Sequence, residues 1–250
     1  MAVLASGVLG LSGAVAAATP HPLLPPHHPA RNYRLISLAK VLGSIDAARA
    51  SQEGLSPLTF DLTRFELLDV AEQVFVISNL ERTTRGLAAA VALTRRLDHV
   101  AQVAASRDED PTDAGHRYWS IWSSAPAAFG QAAYFADFGW MYADGPPPQY
   151  IFRNVDCSRA GQSGCWGHRD NILVRPSHPS GTCSSELVAG TGYARRSPDG
   201  PSLTEVFETA CRGTPLTSVF TWRHAVAYLK IPAAEAGAAS SAKRPRPPVA

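Results

Sequence analysis

Between Asp61 and Thr84 apolar residues recur at helical spacing, with Phe65, Leu68, Val70-Ala71, Val74-Phe75 and Ile77 on one side, which predicts one long amphipathic helix ended by Gly86. A second helix is predicted over Thr94–Ser106, where Leu97, Val100, Ala101 and Ala104-Ala105 share a face and Asp108-Glu109-Asp110-Pro111 stops it. A third, rich in alanine and aromatic residues, is expected over Pro126–Tyr142. The period then changes. Glu186–Arg195, Leu203–Arg212 and Val219–Ile231 alternate apolar and polar residues between turns at Ser197-Pro-Asp-Gly200 and Gly213-Thr-Pro215, as antiparallel strands do. Helices first and a strand meander last predict an α+β fold in which helices cover an antiparallel sheet.

The two ends fall outside this pattern. Residues 1–30 carry no Asp, Glu, Lys or Arg, and the apolar run Val3–Ala18 closes on Ala14-Val15-Ala16-Ala17-Ala18, so 1–18 is expected to be a secretory signal. No basic residue lies between Met1 and that run, which places the true start upstream or makes the signal a weak one. The run is short and broken by glycines at 7, 10 and 13, so no spanning helix is expected. Residues 19–32 form a proline-rich linker whose His21, His27 and His28 are read as solvated, and 232–250 a small-residue, disordered tail; neither is expected to pack. Residues 33–64 are read as an extension packing on a domain that spans 65–231. A chain of 250 residues with 45% hydrophobic content suits one core and excludes global disorder. A net charge of +2, with no basic stripe, excludes nucleic acid as a partner.

Four cysteines, an even number, fit an exported chain, found outside the cell or on its envelope. Three pairings exist, of which Cys157–Cys165 would clip a Gly/Ser-rich loop and Cys183–Cys211 would join neighbouring strands; these two are preferred. A zinc site is the competitor, but there is no Cys-x-x-Cys and the spacing matches no zinc ribbon.

No self-contained catalytic motif survives inspection. His168-Arg169-Asp170 and Asp137-Phe138-Gly139 suggest a protein kinase, yet they occur in the wrong order, without a glycine-rich loop, and with Arg175 where a metal-binding Asn belongs. There is no His-Glu-x-x-His, no P-loop and no Gly-x-Ser-x-Gly, the nearest being Gly161-Gln-Ser-Gly164 followed by Cys165. Asp108-Glu109-Asp110 lacks the remaining positions of a calcium loop and reads as a solvated helix end.

Gly167-His168-Arg169-Asp170-Asn171-Ile172-Leu173 resembles the Gly-His-Arg-x-Asn-Ile-Leu segment of the CAP superfamily, the cysteine-rich secretory, antigen 5 and pathogenesis-related class 1 proteins, in its bacterial SCP-like branch. Asn79, Arg82, Gly86 and Leu87 resemble that family's Asn-x-x-Arg-x-x-x-Gly-Leu helix, and Trp140-Met141 its Trp-Met ahead of the His segment. The resemblance covers 65–231 and implies an α-β-α sandwich. It also implies a polar cleft of two His and two Glu, which in some members holds a divalent metal. Only His168 has a match here. Arg107–Pro111 stands where relatives carry the other His, with His116 nearby in a different context, and Ser120–Pro126 stands where they have Gly-Glu-Asn. No cofactor is therefore predicted, and no metal site: Asp144, Asp156 or Glu109 would have to converge on His168.

What remains is a degenerate cleft. Its candidate ligand-binding residues are His168, Trp140, Tyr142, Asp144 and Trp166, with Phe138 as a further aromatic lining. The function expected from the resemblance is non-catalytic binding of a small apolar molecule, a lipid or a cell-envelope component. A hydrolase using His168 as general base, with Ser120 or Ser163 as nucleophile, is the alternative from another class. A purely structural or interaction domain is the third, in which His168 is a helix-start histidine and Arg169 and Asp170 make local ion pairs or caps.

Overall fold

The computed structural model describes residues 38–111, 118–124, 132–142, 154, 167–176, 183–211 and 216–237. Inside the expected extension a helix, α1 (Leu38–Glu53), is followed by one short turn of helix, α2 (Leu62–Phe65), and by α3 (Val70–Thr83). The single helix expected from Asp61 to Thr84 is thus broken. Asp61 caps α2 through the Arg64 N–H, and Asp69 and Glu72 form a reciprocal capping box that starts α3 afresh. Leu67, in the break, is 75% exposed. Apolar spacing runs through the break because a capping box acts on backbone donors that periodicity does not register.

After α3 the chain forms β1 (Ala90–Thr94), α4 (Arg95–Arg107), β2 (Trp119–Ser124), α5 (Ala132–Tyr142) and α6 (His168–Ile172). It ends in β3 (Cys183–Ser197), β4 (Gly200–Cys211), β5 (Ser218–Thr221), α7 (Trp222–Tyr228) and α8 (Ala233–Ala236). The second expected helix is α4, and the described part of the third is α5. Asp108 takes a left-handed conformation at the end of α4, φ 59°, which confirms Asp108-Glu109-Asp110 as a helix end.

The fold is α+β, but the sheet is mixed, in the order β2-β4-β3-β1-β5. β1 runs parallel to β3 while the other neighbours are antiparallel, which corrects the expected all-antiparallel sheet. β3 and β4 make the expected hairpin, whereas β5 lies at the far edge beside β1 and does not continue a meander. The strand expected over Val219–Ile231 stops at Thr221, whose hydroxyl accepts the His224 N–H at 3.2 Å and caps α7. Trp222, Ala225 and Leu229, all buried, then share a helical face.

Side chains alternate across the sheet. Leu187, Ala189, Leu203 and Phe207 join the main core with α3 and α5, whereas Val188 and Val206 meet Leu97 and Ala101 of α4 on the other face. β3 outruns its partner β1, whose pairing reaches only Ala189. Beyond it α4 substitutes for a strand: Asp98 accepts the Thr191 N–H at 3.0 Å, and Gln102 accepts the Tyr193 N–H at 3.1 Å and donates to the Tyr193 carbonyl at 3.3 Å. This works because Gly190 and Gly192 let α4 lie directly on the strand; a Cβ at either would overlap backbone atoms of Leu97 or of Ala101-Gln102.

Residues 232–237, in the C-terminal stretch expected not to pack, do pack on the body of the fold. Trp222 Nε1 donates to the Ala236 carbonyl at 2.9 Å, the Thr83 hydroxyl to the Glu235 carbonyl, and the Thr59 N–H to the Glu235 carboxylate at 2.9 Å. Cys211 is disulfide-bonded, and Cys183 lies opposite it in the β3–β4 register. Cys157 and Cys165 lie outside the described residues. Among the described residues no helix is long and apolar enough to cross a membrane.

Peptide mapping of the unreduced protein is expected to join Cys183 to Cys211; a Cys157–Cys211 peptide would refute that pairing. Chemical denaturation is expected to show Gly190→Ala losing about 3 kcal/mol through overpacking. Gly43→Ala, on the open face of α1 with nothing within 4 Å of the added carbon, should instead gain about 0.5–1 kcal/mol.

Candidate functional site

The residues that carry the two sequence motifs meet in space. Arg82, on α3 and 1% exposed, donates from Nε to the Ala88 carbonyl at 2.9 Å and from Nη1 to the carbonyls of Ile172 at 2.5 Å and Val174 at 3.0 Å. One guanidinium thereby fixes both the turn after α3 and the end of α6. Burial lowers its pKa to about 10, against the pull of Glu205, and it stays charged at neutral pH. Asn79 pairs with β1 in both directions, accepting the Ala90 N–H at 2.7 Å and donating to its carbonyl at 3.1 Å. Gly86 ends α3 at φ 72°, a left-handed conformation that favours glycine, and Leu87 follows it with its N–H bonded back to the Arg82 carbonyl.

The His segment is held in the same way. Gly167, at φ 80°, opens α6. Asn171 donates to the Ser120 carbonyl of β2 at 2.7 Å. Arg169 donates to the Met141 carbonyl at 3.0 Å and to the Glu53 carboxylate at 2.6 Å, and lies over the Tyr142 ring at 6.0 Å. Its ion pair is therefore long-range, to α1, where a local one was expected. Asp170 is exposed.

His168 is the first residue of α6 and 8% exposed, its ring edge-on to Trp140 with centroids 6.4 Å apart. Trp140 and Tyr142, expected to line a cleft, are each 1% exposed and belong to the core. Phe138 is half-buried and tilts against Tyr142 at 6.3 Å. Glu109 pairs with Arg107 at 3.4 Å. A concavity of about 240 Å³ on the outer side of α4 includes Glu109 with His99, Val103 and Arg107, but none of the candidate cleft residues. Asp144, Asp156, Trp166, Ser163 and His116 lie outside the described residues.

Sequence reasoning missed a buried ionic cluster beneath α1. Glu81, fully buried on α3, accepts from Arg49 of α1, from Arg85 in the turn after α3, and from the Tyr142 hydroxyl at 2.9 Å. Arg85 also bonds Glu53, whose other donor is Arg169, so a chain of charges links α1, α3 and α6. Burial pushes the Glu53 carboxyl up, but the two arginines outweigh it and hold it below its ordinary value. The same pairing, with Glu81, holds Arg85 above its ordinary value despite burial. Two further buried acids are Asp137 of α5 and Glu205 of β4. Glu205 accepts from the Ser78 hydroxyl at 2.7 Å, and burial pushes its pKa up to about 8. The signal was present as Glu81-Arg82 in the last turn of the predicted helix, following the apolar run Val74–Ile77, since charges that packing buries there require partners from elsewhere.

Among the described residues no group of three His, Cys, Asp or Glu is placed to hold a metal ion. Asn79, Arg82, Arg169 and Asn171 bond backbone groups and Glu53, so these four residues position chain segments. No known protein family, no curated protein and no solved structure matches the chain.

Arg82→Lys, which keeps the charge but loses the planar fork, is expected to cost about 2–3 kcal/mol in denaturant unfolding. The Glu205 carboxyl, raised from 4.5 to about 8, favours the folded state fully below pH 4.5, and that contribution is lost as pH rises through 8. Glu205→Gln should therefore gain stability relative to wild type between pH 5 and pH 8, read as melting temperature across that range; parallel profiles would contradict it.

Proposed function

We propose that the chain is an exported CAP/SCP-like domain that does no chemistry of its own and binds a small apolar molecule, a lipid or a cell-envelope component beside His168. The observation that carries this reading is the Arg82 clamp. The family resemblance rests on two short segments, and the structure bonds them to each other across 90 residues of sequence through one buried guanidinium. Segments that resembled the family by chance would have no reason to meet. The sheet covered by helices on both faces supports the implied sandwich, and the disulfide-bonded Cys211 supports an oxidising, extracellular location.

Binding is favoured over catalysis by how the motif is used. Arg169, Asn171 and Arg82 use their donors to hold α6 in place, and the imidazole packs edge-on to the indole of Trp140, a surface that suits a hydrocarbon. With Trp140 and Tyr142 in the core, contact with a ligand falls to His168 and to Asp144 and Trp166, which flank α5 and α6 in sequence.

Native mass spectra of the secreted protein, compared with denatured spectra, are expected to show a non-covalent adduct of lipid mass. His168→Ala and Trp166→Ala should each lower its occupancy several-fold without changing the melting curve. Ester or peptide turnover that disappears in His168→Ala with the fold intact would replace binding by the hydrolase reading. No adduct, with neither variant altering any retained ligand, would leave a structural domain.

A further inference from the structure

Among the described residues of the ionic cluster, Asp137 is the carboxyl left without a donor to either oxygen. It is 2% exposed. A carboxylate buried this way costs several kcal/mol, whereas a carboxylic acid in the same place costs far less. The groups that face it come from elsewhere in the fold: Arg49 of α1, Glu81 of α3, Arg85 in the turn after α3, and Glu205 of β4. On its own helix Tyr142 is near, while from α6 Arg169 lies over the Tyr142 ring and His168 against Trp140.

Neither arginine is at liberty to serve it. Arg49 is committed to Glu81, to the Thr84 hydroxyl at 3.1 Å and to the Ser56 carbonyl at 3.0 Å, and Arg85 to Glu53, Glu81 and Tyr142. A charge on Asp137 therefore either draws Arg49 away from Glu81 or calls water into the cluster. Both loosen the same element. α1 is held to the body by Arg49 and Glu53 together with the small apolar contact of Ile45, Ala48 and Leu42.

We propose that Asp137 carries a proton in the folded protein at neutral pH and that its loss unseats α1, making the N-terminal helix a pH-sensitive strap over the α3–α5 side. Burial, and then the Glu81 charge, raise its pKa well above the ordinary value, as the geometry requires. A raised pKa gives stability that is complete in acid and lost as pH rises, so α1 is seated firmly in acid and released towards alkaline pH. Asp46, on α1 itself, caps the Leu58 N–H at 2.8 Å and is also raised by burial, so its effect has the same sign and needs its own control.

The test is hydrogen–deuterium exchange of the full chain from pH 5 to pH 8, corrected for intrinsic rates. In a Glu205→Gln background, which removes the pH dependence of the sheet, opening of peptides from residues 38–53 should increase by up to about ten-fold per pH unit and stay well ahead of opening in β3 and β4. Asp137→Asn should abolish that dependence, and Asp46→Asn should leave it. The proposal is overturned if α1 and the sheet open together, or if Asp137→Asn retains the wild-type slope. Should that variant fail to fold, wild-type protein labelled with carboxyl-¹³C aspartate decides: a resonance at the protonated position at pH 7 supports the proposal, and its absence overturns it.

Discussion

One buried arginine joins the parts of this protein that sequence leaves far apart. Arg82 projects from a helix buried over its whole second half and satisfies three carbonyls, one on the way to β1 and two at the end of α6. Hydrogen bonds to a charged donor contribute about 1.5–3 kcal/mol each, and removing a guanidinium from water costs several kcal/mol in return. The net stabilisation is therefore modest. What the interaction supplies is geometry: the three carbonyls can be served at once in one arrangement of α3, β1 and α6, and His168 is placed by it.

The ionic cluster beneath α1 follows the same logic with a different outcome. Glu81 is fully served by two arginines and a tyrosine, and Glu53 bridges two arginines, so these charges are compensated within the fold. Asp137 and Glu205 are not compensated to the same degree, and burial holds both towards the protonated form. The protein thus has a set of paired charges beside two acids held towards the neutral form. α1 supplies Arg49 and Glu53 to the paired set, which makes the extension an integral part of the domain's charge balance and not an appendage to it.

On the opposite face of the sheet polar side chains act as backbone. Asp98 and Gln102 take the place of a missing neighbour strand along β3, which allows β1 to be only five residues long while β3 has fifteen. Two glycines make the approach possible. α4 is held by this contact and by the Leu97, Ala101, Val188 and Val206 cluster, leaving the α3–α5–α6 side as the one that carries His168.

The sequence by itself determined the α+β class, helices α4 and α5, the β3–β4 hairpin and the Gly86 stop, because each is written in local periodicity or in a turn residue with one backbone preference. It also marked Asn79, Arg82, Arg169 and Asn171 as a set. Tertiary structure decided the rest. The break at Asp69 depends on a reciprocal bond to Glu72, and the end of β5 on the Thr221 hydroxyl, neither of which changes the apolar count. The parallel pairing of β1 with β3 brings together residues about a hundred positions apart, which no window of periodicity spans. Trp140 and Tyr142 read alike as cleft or core in sequence; only the packing of α1 and α3 over α5 buries them. The same packing buries Asp137, one polar letter in an aromatic helix, with no donor to either of its oxygens among the described residues, since burial is a property of what covers a residue and not of the residue.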